Sequence, residues 1–320
     1  GGAHAPTSAC ASGAEAIALG AALLRRGVAD VVVAGGTEAC LGRLSIAAFA
    51  RMGALSRRHS DPGAASRPFD SGRDGFVMAE GAGAVVLERG SFARARGAQS
   101  AARLAGVGMT SDAHDMTAPS PDGQIRAIRH ALRSAGLSPY DVTHVNAHAP
   151  GTPVGDRVEA AAVLEALGPH PLVTATKSVT GHLIGGAGAV EAIFTVLAVR
   201  HGVVPPTRNL DDQDSDVKLE IVANQPRHAR IGAAISNSFG FGGHNVVLAF
   251  TRSGCGCAAA GVAARTRFSG HGRCRSTSRT TLTRSGSTAP TAARTTPRAS
   301  GWAARASPGC ATRGTSPWHR

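Results

Sequence analysis

Three side chains in this 320-residue sequence have the type and setting for nucleophilic chemistry: Cys10, His148 and His182. Cys10 lies in "PTSACASGAEA", between alanines and just ahead of a segment with helical spacing. A free cysteine is commonly a small apolar core residue. At the first turn of a helix, however, a thiol meets the positive end of the helix dipole and unpaired amide donors, and both favour thiolate. Ala9, Ala11, Ser12 and Gly13 are small enough to let a substrate approach. Cys40, beside Leu41, has no such setting and reads as filler.

His148, in "NAHAPGTPVGD", closes an apolar run and precedes a Gly/Pro loop, while His182, in "TKSVTGHLIGGAG", sits at a strand-to-helix junction. Strand ends of α/β sheets are where functional groups are presented. A single such histidine is more often structural. Three suitable positions in one chain are harder to set aside. "SNSFGFGGHN" (236–245) places a glycine-rich turn between two apolar strands. It fits a plain hairpin, and it equally fits backbone amides offered to a developing oxyanion. "VVVAGGTE" and "IGGAGAV" lack both the dinucleotide fingerprint and a P-loop lysine, so no nucleotide is assigned.

The elements that must hold these residues alternate between two periods. Ala14, Ile17, Ala18, Ala21 and Leu24 recur at helical spacing, and Arg25, Arg26 and Gly27 end the run. "ADVVVAGGTEA" and "GAGAVVLE" are short continuous apolar runs, the pattern of strands buried on both faces of a parallel sheet. "AARLAGVGM", "VTHVNAHA", "PLVTATKS", "LEIVAN" and "IGAAISNSF" read as further strands. Between them fall the helical "QIRAIRHALRSAG", "DRVEAAAVLEALG", capped by Asp156 and Gly168, and "GAVEAIFTVLAVRHG". The fold class is α/β.

A net charge of +13 suggests nucleic acid, but twelve of the arginines behind it lie in residues 251–320, which contain no Asp, Glu or Lys. That basic tail has no sustained period and is expected to be disordered, its abrupt onset being what a shifted reading frame would produce. It lacks the interleaved aromatic residues of a single-strand platform. Four of the six cysteines fall there, at spacings that match no zinc pattern, and no metal is assigned. With no secretory signal and no membrane-length apolar run, the chain is expected to be cytoplasmic.

Taken in order, "TSACASG", "VVVAGGTEA", "RPFDSGRDGFVMAEGAGAVVLE", "VNAHAPGTPVGD", "TATKSVTGHLIGGAGAVE", "VPPTRNLD" and "SNSFGFGGHN" resemble the elongating β-ketoacyl-acyl carrier protein synthases of fatty acid and type II polyketide synthesis, through almost all of residues 1–250. The resemblance implies a thiolase-like fold of two similar βαβαβ halves, the first one incomplete. Residues 1–90 would be the remainder of the N-terminal ketosynthase half, 91–250 the C-terminal half and 251–320 the tail. It further implies Cys10 as nucleophile, His148 and His182 as the paired active-site histidines, Lys177 as the active-site lysine and Glu191 as its acidic partner. Phe241 would be the gate residue whose amide shares an oxyanion hole with that of Cys10. Thr152, Gly240 and Gly242 would meet the substrate.

The implied reaction is a decarboxylative condensation of an acyl-cysteine with malonyl-acyl carrier protein. It uses no cofactor beyond the carrier's phosphopantetheine, and acyl carrier protein is the partner. The implied assembly is a homodimer, or a heterodimer with a related subunit. Two histidines, rather than His and Asn, separate the sequence from chain-initiating synthases, and Cys10 separates it from chain-length-factor partners. Three departures stand out: about the first third of a usual member has no counterpart, Pro6 falls where an extended strand is expected, and Pro150 replaces a threonine expected at the pantetheine arm. They sustain the alternative of an inactive truncated fragment or a non-catalytic partner subunit.

Overall fold

In the computed structural model, residues 2–253 and the backbone of 262–267 are described. A 3-10 turn over Ala9–Ala11 runs into α1 (Ser12–Arg25), followed by β1 (Val31–Glu38), α2 (Arg43–Arg51), β2 (Gly81–Arg89), α3 (Gly90–Ala95) and β3 (Ala102–Ser111). Then come α4 (Pro121–Ala135), β4 (Val142–Asn146), α5 (Gly155–Leu167), β5 (Leu172–Thr174), α6 (Lys177–Thr180) and α7 (Ala187–His201). Short strands β6 (Val203–Val204), β7 (Glu220–Ile221) and β8 (Arg227–His228) precede the long pair β9 (Ala233–Gly240) and β10 (His244–Thr251), and β11 spans Val262–Arg267.

The main sheet runs β1-β2-β11-β3-β10-β9-β4-β5-β7, with β6 and β8 paired apart from it. It is mixed. Strands β9, β4, β5 and β7 run parallel, whereas β1 with β2 and β10 with both β3 and β9 are antiparallel. The expectation of β1 and β2 as doubly buried parallel strands therefore fails. β1 is the sheet edge, Ala34 is its one buried residue, and Val33 is 71% exposed. Continuous apolar runs do not distinguish a buried strand from an edge whose outer face lacks cover among the described residues.

Strands β9 and β10 are covered on both faces, and alternate residues serve two cores. Ala234, Val246, Leu248 and Phe250 join Ile17, Leu24, Ile193 and Val196 of α1 and α7. Ile235, Val247 and Ala249 join Ile128, Leu132, Val163 and Leu167 of α4 and α5. Burying each such aliphatic side chain is worth roughly 1.5–3 kcal/mol. Where α1 and α7 meet, only glycine fits: a β-carbon on Gly13 would lie 2.9 Å from the Ala189 nitrogen, and one on Gly188 would lie 2.8 Å from the Ala14 nitrogen. Their N-terminal ends are thereby locked together.

Two further expectations are corrected. Asp156 does not cap α5; it lies inside the first turn, and its carboxylate turns back to accept from the N–H groups of Phe69, Gly151 and Thr152 at 3.0–3.1 Å. The tail expected to be disordered from 251 contributes Thr251 to β10 and Val262–Arg267 to a strand paired antiparallel with both β2 and β3. Facing backbone edges offer hydrogen bonds to a segment of any composition. Residues 254–261 and 268–320, with four of the cysteines, lie outside the described residues.

Candidate active site

Cys10 sits in the 3-10 turn that feeds α1, 7% exposed. Ala9, just before it, has φ +49°, a left-handed conformation disfavoured for a residue with a β-carbon. The Ser12 hydroxyl fixes the turn, accepting from the Ser8 N–H at 3.0 Å and donating to the Ala9 carbonyl at 2.7 Å. From the other side comes Gly240, where a β-carbon would be 2.5 Å from the Ser8 oxygen and 3.2 Å from the Cys10 nitrogen. That close approach brings the β9–β10 turn against the cysteine. The N–H groups of Phe241 and of Cys10 itself both act on the sulfur.

Burial nonetheless pushes the thiol up to about 11, outweighing the opposing pull of Lys177 and of those two amides. The expectation of a resting thiolate is thus reversed.

His148 follows β4, and its backbone is anchored by Glu159, whose carboxylate accepts from the N–H of His148 at 2.8 Å, from that of Ala149 at 2.6 Å and from the Asn237 amide at 2.9 Å. Its Nδ1 lies 3.3 Å from Lys177 Nζ. An ammonium can only donate, so Nδ1 accepts and the ring proton resides on Nε2. His182 is held by its backbone to Val77 and Ala79 at 2.8 and 3.0 Å. Its ring stands edge-on to His148, with centroids 5.2 Å apart and planes at 85°. Burial, then Lys177, hold both imidazoles well below their ordinary value, with His182 adding to the effect on His148. Both are neutral at pH 7.

Lys177 opens α6 after β5 and is 1% exposed. It forms an ion pair with Glu191 of α7, whose carboxyl burial pushes up to about 7 against the pull of the lysine. The Ser66 hydroxyl donates to the Lys177 carbonyl at 2.7 Å, and Asn146 and Thr195 donate to that of Glu191 at 3.2 and 2.8 Å. The pair is fixed from three sides.

A cavity of about 410 Å³ gathers Cys10, His148, His182, Phe241, Gly240 and Thr152 along its wall. Lys177 and Glu191 stand behind the imidazoles. Gly242 is not on the wall; its N–H is turned to the Met116 carbonyl at 2.8 Å, and Gly243 lines the cavity instead. The hairpin reading of 236–245 describes this turn, since β9 and β10 pair across it, and the Phe241 N–H pulls the Cys10 thiol down. Phe241 stacks on Phe49 of α2 at 6.4 Å, and Phe49 meets Phe76 at 5.5 Å. Pro150 also lines the wall. Sequence reasoning missed Glu159. Its signal was present, since Asp156 and Glu159 fall on the same stripe of α5 as the buried Ala160, Val163 and Leu167.

A thiol, two neutral imidazoles, that of His148 with its proton on Nε2, and two backbone amides around one apolar cavity define a site suited to acyl transfer through a cysteine. Comparison with known proteins agrees with that class. The model for the β-ketoacyl synthase N-terminal domain matches residues 1–93, and that for the C-terminal domain matches 101–211. The chain belongs to the β-ketoacyl synthase family, and its fold is thiolase-like.

Among its relatives, the 3-oxoacyl-[acyl-carrier-protein] synthase 2 of Synechocystis sp. is 48% identical over 250 residues, covering 77% of this chain and 60% of that protein. The enzyme of the same name from Mycobacterium tuberculosis is 49% identical over 251 residues, with the same two coverages. A type II polyketide ketosynthase, solved with its acyl carrier protein and bound to the hexaketide, superimposes with TM-score 0.76 at 35% identity, covering 78% of this chain and 62% of that one. The chain spans about 60% of the length of the curated relatives it matches.

Proposed function

We propose that this chain carries the condensing site of a β-ketoacyl-acyl carrier protein synthase. The observation that supports the reading is the single cavity shared by the Cys10 thiol and two neutral imidazoles, with the Cys10 and Phe241 amides at the sulfur. In the first half-reaction the Cys10 sulfur attacks the acyl thioester of the carrier's phosphopantetheine. The new sulfur–acyl bond forms, and the carrier thiol leaves with the proton. In the second, the malonyl thioester loses carbon dioxide, and the enolate oxygen accepts from Nε2–H of His148 and His182. Its carbon then attacks the acyl-cysteine carbonyl. The resulting oxyanion accepts from the Cys10 and Phe241 amides before it collapses, expelling the thiolate, which takes a proton from solvent.

Each such donor is commonly worth about 10²–10³ in rate. Burial first, and the Lys177 charge second, keep both imidazoles neutral, so they donate to an enolate without carrying charge themselves. Thr152 is assigned to the pantetheine arm. Acyl carrier protein is the proposed partner, in a homodimer or with a related subunit, as in the solved ishigamide ketosynthase/chain length factor, 38% identical to this chain. The proposed compartment is the cytoplasm.

Incubation with an acyl carrier protein thioester should add the acyl mass to Cys10, and malonyl carrier protein should then release a β-ketoacyl product. Folded protein in which Cys10 stays free would overturn the assignment. A second reading, a chain that keeps the site without turning over, is favoured by the edge strand β1, where Val31 and Val33 are exposed. Acylation without condensation would single it out.

A further inference from the structure

The geometry points to Arg73 as a positioning residue for the carrier's pantetheine arm, acting through the loop that bears Thr152; this rests on the ketosynthase reading above. Arg73 lies in "RPFDSGRDGF", outside every helix and strand, yet its side chain is only 2% exposed. Its Nε donates to the Thr152 carbonyl at 3.1 Å and its Nη2 to the Pro153 carbonyl at 2.8 Å. Nη1 donates to the Asp70 carbonyl at 2.8 Å and lies 2.8 Å from Asp214 Oδ2.

Asp156 grips the same loop by its amides, accepting from Gly151 at 3.1 Å and Thr152 at 3.0 Å, and its other oxygen is 3.6 Å from Arg73 Nε. One guanidinium therefore holds the loop's carbonyls while one carboxylate holds its N–H groups. The remaining Gly151 carbonyl accepts from Gly75 at 3.1 Å, at a position with φ +96°.

What this clamp carries is Thr152, which lines the cavity beside His148 and Pro150. Proline has neither a hydroxyl nor an N–H to offer an amide-bearing ligand. Thr152 is then the loop's hydroxyl at that wall, and its place depends on two successive carbonyls being held at once. A planar guanidinium spans both; the point charge of lysine cannot. Because the clamp lies away from the sulfur, its loss should weaken binding of the arm and leave the chemistry intact.

The test uses the full chain with an acyl-pantetheine thioester as the arm-bearing substrate. Arg73→Lys, which keeps the charge beside Asp156 and Asp214, should raise KM about tenfold with kcat within about twofold. Alkylation of Cys10 by iodoacetamide, which has no arm, should proceed at the wild-type rate. Thr152→Val leaves the clamp's backbone partners in place and should raise KM by a similar factor, and the double variant should be no worse than either single one. Additive effects, or a folded Arg73→Lys that loses kcat and alkylation rate together, would overturn the inference. Should Arg73→Lys not fold, Arg73→Gln takes its place: a raised KM with unchanged alkylation supports the inference, and an unchanged KM in either it or Thr152→Val overturns it. Failure of the wild-type chain to become acylated at Cys10 would instead remove the functional reading beneath it.

Discussion

Lys177 Nζ lies 3.3 Å from Nδ1 of His148 and is ion-paired with Glu191 on its other side. One buried cation thus fixes a tautomer and neutralises a carboxylate. Replacing it with methionine removes the pull that opposes burial at Glu191, so above neutral pH, where that carboxyl would still have to ionise, the variant buries an unpaired charge at a cost of about 3–5 kcal/mol. Denaturant unfolding of Lys177→Met should show that loss. The double variant Lys177→Met/Glu191→Gln, which removes the stranded charge as well, should regain most of it.

Neither His148 nor His182 should titrate near the ordinary imidazole value of about 6.5. Burial and Lys177 disfavour the protonated rings, so both remain neutral as the pH falls through that point. Ring nitrogen shifts should stay those of neutral imidazole, with the His148 proton on Nε2. A titration midpoint at the ordinary value would contradict the arrangement.

The Cys10 thiol, pushed up to about 11, should show the opposite pH sense. Its thiolate fraction, and with it the rate of iodoacetamide alkylation, should rise about tenfold per pH unit from neutrality to about pH 10 without a plateau. Mass spectrometry of the Cys10 peptide over time measures it. A plateau near neutral pH would mean that the turn, and not burial, sets the ionisation.

Much of this was legible in the sequence. Helix α1, expected over 11–26, runs Ser12–Arg25, because apolar spacing and a glycine stop are local signals. Both histidines were singled out because strand ends and Gly/Pro loops mark themselves, whereas Thr152 was implied only by the family resemblance. Other features were not legible, since they depend on partners distant in the chain. Whether β1 is buried depends on what lies beside it in the sheet. The ionisation of Cys10 depends on how deeply the β9–β10 turn covers it. Arg73 carries no local signal, because its partners Thr152, Pro153 and Asp214 lie 79, 80 and 141 positions along the chain. Asp156 and Glu159 fell between these cases: their apolar stripe was visible, but the backbone N–H groups they satisfy were not.

The two-sided burial of β9 and β10 binds the fate of everything around them. Val246 and Leu248 belong to one apolar mass and Val247 and Ala249 to the other, so neither mass can loosen while its neighbour stays intact. Heat or denaturant should take both apart in one step, and the cysteine-bearing turn that leans on Gly240 should come undone at that same midpoint.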